Sequence, residues 1–330
     1  MEKVHQLSPT ATQRATRFIQ NTLAFPQEDS TLLMHHSVHY SNCPSCKSSA
    51  LKDVFVANDH SVTQERFPIM ECADCGMRFT DKAPCETVIG RYYQSSDYVS
   101  HSDTKKGIIN KLYHIARSYT LHQKLNIVRK ATGKAVGMHL DVGCGTGAFV
   151  HTMGKAGWSS IGVEPDEKAR AVAAQKYNAD VFPADHFFTL PAKTYDAVTM
   201  WHVLEHVHQL DKYVKQLKAL LSPGGKLIVA VPNYTSLDVT IYKTNWAAYD
   251  VPRHLYHFSP ESMRRLMLRH GLKVKETHPM WLDSFYVSML SEKYMKGNML
   301  RGVWNGLRSN FNAVFKKDKC SSLIYIIEEA

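Results

Sequence analysis

The spacing of apolar and polar positions changes character twice along the 330 residues. Residues 1–40 are polar, with only weak helical periodicity around Ala11 to Leu23, and read as a loosely held arm. Leu51 to Met70 alternates and is rich in β-branched and aromatic residues, which predicts strands. Over 84–135 the apolar positions Ile108, Ile109, Leu112, Ile115, Leu121, Leu125 and Val128 recur at helical spacing. Aromatic residues at Tyr92, Tyr93 and Tyr98, beside Arg91, precede that helix and suit packing of helices against the main domain.

From residue 136 strands and helices alternate. Met138–Val142, Ser160–Val163, Tyr195–Met200 and Lys226–Val231 read as strands, with helices over Asp166–Tyr177 and Leu210–Leu221 between them. Such a βαβα rhythm produces a parallel sheet covered by helices on both faces, an α/β fold. Pro260–His270 is a further helix, with Ser259 as its N-cap and Glu261 in its first turn. Leu272–Thr277 and Ser322–Glu328 are strands expected to pair and close the sheet, with a helical insertion near 280–320 between them. The organisation expected is an arm at 1–40, a cysteine module at 41–83, a helical cover at 84–135 and the main domain at 136–330.

Composition is ordinary for a globular chain, 44% hydrophobic and 21% charged. There is no secretory pattern and no apolar run of the ~18 residues a spanning helix needs, so the cytoplasm is the default compartment. The net charge of +10 is densest from Lys293 to Lys319. It reads either as a solvated basic face or as attraction to an anionic partner. The basic residues lack the aromatic interleaving of single-strand binders, which argues against nucleic acid.

Cys43-Pro-Ser-Cys46 and Cys72-Ala-Asp-Cys75 are two C-x-x-C knuckles with 25 residues between them. In a reducing compartment this spacing points to metal before disulfide. Two knuckles bring four thiolates to one point, a closed tetrahedral S₄ site suited to structural Zn²⁺. Lys47 stands where such knuckles often carry glycine. Cys85, Cys144 and Cys320 fall outside the pattern.

The turn Asp141-Val-Gly143-Cys-Gly145-Thr-Gly147 joins a strand to a helix. Glycines there let the backbone approach a ligand, and the helix start offers free N–H groups to an anionic part of it. The spacing fits a dinucleotide turn (Gly143, Gly145, Ala148) as well as an S-adenosylmethionine (SAM) turn. Glu164, at the end of the second strand, suits the ribose of either. An NAD(P)-dependent oxidoreductase is therefore the rival reading at this point.

The downstream sequence resembles the class I SAM-dependent methyltransferases. Asp141–Gly147 is similar to their first motif, Gly162-Val-Glu164-Pro-Asp166 to the second, and Ala184-Asp185-His-Phe187 to the adenine-contacting stretch. Tyr195–Val198 with His202-Val-Leu-Glu205-His206-Val resembles the fourth motif and its following turn, and Leu221–Leu227 the turn before the fifth strand. The resemblance implies a Rossmann-like, seven-stranded, mostly parallel sheet with a small zinc-ribbon-like module at its N-terminal side. It implies that Gly143, Gly145 and Gly147 pack on the methionine part of SAM, that Glu164 holds the ribose and that Asp185 meets adenine, with Phe187 stacked nearby. Asp141 would orient the loop or the SAM ammonium, and Trp201 would line the same pocket. The stretch Val251-Pro-Arg253-His254-Leu-Tyr-His257-Phe-Ser-Pro-Glu-Ser262, with the knuckles and the tail, resembles a zinc-knuckle methyltransferase group typical of Bacteroidetes-like bacteria.

His202, Glu205 and His206 fall on one side of a turn at the carboxyl edge of the sheet, where ligands sit. That turn either lines the SAM pocket or holds a second metal. His254 and His257 come from the segment expected to fold over the acceptor. A neutral imidazole takes a proton from a hydroxyl or amine, so His202, His206, His254 and His257 are the candidate general bases. Arg253 is the candidate to meet an acidic group. The expected acceptor is a small molecule or saccharide, an anionic one suiting the basic surface; an RNA-directed enzyme or an inactive binding module is the alternative.

Overall fold

A computed structural model describes residues 37–94 and 108–330, for 108–117 the backbone alone. The expected arm and Tyr98 lie outside the described residues, apart from the arm's last few positions.

Three antiparallel strands follow the first knuckle: β1 (Leu51–Asn58), β2 (Arg66–Cys72) and β3 (Arg78–Thr80). Helix α1 (Ile108–Thr132) leads into the main sheet, whose first strands are β4 (Met138–Val142), β5 (Ser159–Val163) and β6 (Val181–Phe182). Helices α2 (Ala148–Lys155) and α3 (Glu167–Tyr177) connect them. Asp166 caps α3, its carboxylate accepting from Lys168 N at 2.8 Å, and Asn178 ends it in the left-handed conformation. Then come β7 (Tyr195–Trp201), α4 (Leu210–Leu220) and β8 (Leu221–Pro232). Leu210, Val214 and Leu217 give α4 one buried stripe.

Beyond β8 lie the short α5 (Leu237–Tyr242), β9 (Tyr256–His257) and α6 (Pro260–Arg269). A reciprocal Ser259/Ser262 capping box starts α6 with proline in its first turn. Strand β10 (Leu272–Pro279), helices α7 (Asp283–Tyr294) and α8 (Met299–Phe315), and β11 (Ser322–Glu329) complete the chain.

The seven-stranded sheet runs β10-β11-β8-β7-β4-β5-β6. β11 is antiparallel to both neighbours, with Val229 opposite Tyr325, and the other pairs are parallel. The last strand pairs with 272–279 as expected and slots between β8 and β10, which leaves β10 at the edge. Insertion there buries Leu323 through Ile327 on both faces, whereas β10 beyond Leu272 has only exposed and half-buried residues, as an edge strand does.

The cysteine module shares its sheet with the main domain. β9 pairs with β3 (Tyr256 with Phe79, His257 with Arg78), so the order is β9-β3-β2-β1. One apolar core runs from Cys43, Met77 and Phe79 through Tyr256 and Phe258 to Leu140 and Val198. Each large side chain buried there contributes about 1.5–3 kcal/mol. The segment 251–260 is buried throughout because it is sandwiched between module and sheet.

Candidate functional site

The turns after β4, β5 and β7 open on the carboxyl edge of the sheet, the side where ligands bind in such folds. Gly143, Gly145 and Gly147 all have positive φ, but they do different work. A Cβ on Gly143 would meet Val203 Cγ2 at 2.4 Å, and one on Gly147 would meet Ala173 Cβ at 2.8 Å. Both are therefore demanded by packing against the protein itself. Around Gly145 nothing lies within 4 Å, so of the three glycines expected on the methionine part, this one faces open space.

Glu164 is buried at 8% exposure and turned onto the loop. Its Oε2 accepts from Gly145 N at 2.8 Å and its Oε1 from Asp166 N at 3.0 Å. Burial raises its pKa, opposed by those two hydrogen bonds. Each oxygen keeps a lone pair for a further donor. Asp141 accepts from Thr199 Oγ1 at 2.5 Å, and Thr199 also meets His139 Nε2 at 3.0 Å. Burial pushes the Asp141 carboxyl up to about 7, against the Thr199 bond and the Lys124 charge. Lys124 Nζ sits 4.4 Å from the ring centre of Trp201, which packs edge-on against Phe149. Asp185 is exposed on a 3₁₀ turn, while Phe187 is buried and stacked on Tyr213 at 5.2 Å. The Phe187 ring is thus spent on the core and does not face the crevice as expected.

Across the crevice stands the His202 turn. His202 has φ +57°, a rare conformation for a residue with a side chain. Its Nε2 lies 2.9 Å from Asp283 Oδ2 and its Nδ1 3.4 Å from Glu205 Oε1. Burial lowers its pKa, but the two carboxylates outweigh burial and hold the imidazole at about 10. A histidine protonated at neutral pH is a charge and a donor, so the expectation of His202 as a base is corrected by Asp283, a partner no local motif announces.

Glu205, His206 and His254 converge, with one ligand atom from each within 4.8 Å of the others. Glu205 is fully buried, and its carboxylate makes no hydrogen bond beyond the 3.4 Å ion pair with His202. His206 Nδ1 lies 3.0 Å from Arg253 O and 3.1 Å from Tyr93 Oη; His254 Nδ1 lies 2.9 Å from Ala248 O. A carbonyl only accepts, so each Nδ1 carries the proton and each Nε2 keeps its lone pair. Burial lowers His206 to about 4.

Two further candidates sit elsewhere. His257 is buried in the module's sheet, its Nε2 3.1 Å from Thr80 Oγ1, and burial pushes it well below its ordinary value. Its Nε2 is thus engaged within the strands of the module. Arg253, expected to meet an acidic acceptor group, is 1% exposed. It donates to Asp250 at 2.6 Å, Asp59 at 3.1 Å and Tyr92 O at 2.7 Å, fastening the module to the main domain.

The four module cysteines also converge. Cys43 Sγ lies 3.5 Å from Cys75 Sγ and Cys46 Sγ 3.6 Å from Cys72 Sγ. Four thiolates about 2.3 Å from one ion stand about 3.8 Å apart, so the set fits a tetrahedral zinc. Backbone N–H groups of Ser45 and Cys46 point at Cys43 Sγ, as thiolates require. Lys47 takes φ +68°, which explains why glycine suits that position, and its Nζ pairs with Asp211 at 2.6 Å.

The Methyltransferase domain family matches residues 113–277, half of the chain. Human mitochondrial ubiquinone biosynthesis O-methyltransferase is 29% identical over 162 residues, covering 44% of this chain and 44% of that protein. The ubiquinone biosynthesis O-methyltransferase of Acinetobacter baumannii (strain AYE) is 29% identical over 175 residues, 47% of this chain and 74% of that one. The chain thus spans about half the length of the human relative it matches. Among solved structures, magnesium protoporphyrin IX methyltransferase from Synechocystis PCC 6803 with bound SAH aligns at TM-score 0.46 and 21% identity, over 58% of this chain and 91% of that one. The family match decides between the two cofactors left open by the glycine turn: with its motifs in order on the carboxyl edge of the sheet, the chain belongs to the class I SAM-dependent methyltransferases.

Proposed function

We propose that the protein transfers a methyl group from SAM to a hydroxyl of a small-molecule acceptor, a saccharide hydroxyl included. The reading rests on one observation above the others: at the carboxyl edge of the sheet the Gly145 backbone is left open, with nothing within 4 Å of it, while Glu164 is turned onto the same loop. The relatives' names, O-methyltransferases, favour oxygen over nitrogen or carbon.

When bound, SAM supplies a methyl made electrophilic by its sulfonium. Residues that would hold it are the Gly145 backbone, Glu164, Asp141, Trp201 and Asp185. With SAM held there, its methyl would pass to the acceptor oxygen and leave the carbon–sulfur electron pair on sulfur, while Nε2 of His254 or His206 would take the hydroxyl proton. Orientation in a closed crevice supplies up to roughly 7–11 kcal/mol in favourable systems. A positioned base adds on the order of 10²–10⁴-fold. Calorimetry with SAM tests the cofactor half: Glu164→Ala should lose measurable affinity, and an unchanged Kd sinks the assignment. Transfer of labelled methyl to a panel of hydroxyl acceptors, with His254→Ala and His206→Ala beside the wild type, tests the rest.

A second reading of the same cluster is favoured by Glu205. A buried carboxylate that meets His202 across 3.4 Å but makes no hydrogen bond, beside the imidazoles of His206 and His254, matches a two-histidine, one-carboxylate set for a divalent cation. Such an ion would hold the acceptor hydroxyl and lower its pKa. Titration calorimetry with Mn²⁺ and Mg²⁺ on wild type and Glu205→Gln separates the readings; equal heats for the two proteins remove the ion.

We further infer that the cysteine set carries a structural Zn²⁺. The closed four-sulfur geometry leaves no position for a reacting ligand.

A further inference from the structure

The pair α7–α8 is built inside out. Gly302, Asn305, Gly306, Ser309 and Ala313 face inward, so the small and polar residues of α8 make the buried stripe. A Cβ on Gly302 would come within 2.8 Å of Met289 Cα, and one on Gly306 within 2.9 Å of Phe285 Cα. The helices therefore touch backbone to backbone through a G-x-x-x-G stripe, with Asn305 donating to Tyr242 Oη at 3.0 Å beside it. This is how helices pack when apolar burial is not what joins them.

The large apolar residues of α8 point outward instead. Leu300 (76% exposed), Trp304 (62%), Phe311 (69%) and Phe315 (74%) lie on the outer face with Leu307 and Val314. No helix among the described residues is long and apolar enough to cross a membrane. Between Lys293 and Lys319 the sequence holds seven Lys and Arg against the single Asp318. An apolar stripe carrying Trp, Phe and Leu, flanked by Lys and Arg, is the composition of a helix that lies in a membrane interface. The same charge disfavours a second copy of the chain, because two such faces would bring together two basic sets with little acid to offset them.

We propose that the outer face of α8 docks on an anionic phospholipid surface, with Trp304, Phe311 and Phe315 entering the headgroup boundary and the basic residues meeting lipid phosphates. This stands independently of the methyl-transfer reading.

Flotation of the full chain with vesicles tests the proposal. Vesicles of phosphatidylcholine containing phosphatidylglycerol should carry the protein, pure phosphatidylcholine far less, and added salt should release it. The pair Trp304→Glu/Phe311→Glu should abolish flotation. Lys316→Glu/Lys317→Glu should weaken it by about fivefold or more per residue. Thermal unfolding and SAM affinity report whether each variant is folded, and if the first pair fails to fold the lysine pair decides. Absence of flotation by the folded wild type overturns the proposal, as does flotation unchanged in folded variants or equal on neutral vesicles. A dimer in sedimentation velocity that the Trp304/Phe311 pair dissolves overturns it too, assigning the face to a second copy.

Discussion

Nε2 of His202 lies 2.9 Å from Oδ2 of Asp283, tying the turn after β7 to the start of a helix in the insertion. The contact couples the crevice to α7 and holds an imidazole with positive φ in place. Because both side chains are partly exposed, solvent screening limits the pair to about 1 kcal/mol. A double-mutant cycle with His202→Ala and Asp283→Ala, read by urea unfolding, should give a coupling of that order, and additive effects would dissolve the pair.

Two substitutions in the glycine turn should separate folding from binding. Gly143→Ala drives a Cβ into Val203, so it should destabilise the fold by more than the roughly 1–2 kcal/mol that a left-handed residue costs. Gly145→Ala meets open space and should cost only that conformational amount, yet it should weaken SAM binding at least tenfold. Equal effects of the two on unfolding and on calorimetric affinity would contradict this division.

Metal loss from the module should reach the crevice. β9 is both a strand of the module's sheet and the end of the segment carrying His254, so Cys72→Ser or strong chelation should speed amide exchange across 251–258. Protein prepared without chelator should hold about one zinc per chain by atomic spectroscopy. Exchange confined to 43–76 after zinc removal would show that the module only decorates the fold.

The Asp141 carboxyl gives a pH signature. Burial raises it to about 7 from an ordinary value of 3.8, so between those values the native state keeps a proton that the unfolded chain releases. Its contribution is complete below about pH 4, declines as pH rises to about 7, and is absent above. The span is at most roughly 4 kcal/mol. Asp141→Asn lacks this slope. The wild type minus variant difference in unfolding free energy should therefore shrink from pH 5 to pH 8, and parallel profiles would refute the shift.

The alternation of strands and helices, the glycine turn and the paired knuckles were legible because each depends on neighbours in sequence. Alternation and helical spacing report burial locally, and a C-x-x-C turn aims two thiols by its own backbone. Gly143 and Gly147 looked alike with Gly145 in the sequence and differ only in what lies opposite them. Arg253 looked like a substrate residue because its motif does not show Asp59 and Asp250. Asp283 carried no signal at all, sitting in an insertion whose pattern announces only helix. Helix α8 was legible only as part of a helical insertion, and which of its faces turns inward was not.

Local sequence dictated that strands and helices alternate around a nucleoside-binding turn and that four cysteines are spaced for one metal. Those properties are written in period and backbone freedom. Long-range packing selected which lone pairs meet: Glu205 and His206 from one turn with His254 from a segment pinned beneath the module, and His202 with Asp283. Such meetings depend on side chains brought together through the packing of buried segments, and no local periodicity encodes a distance between them.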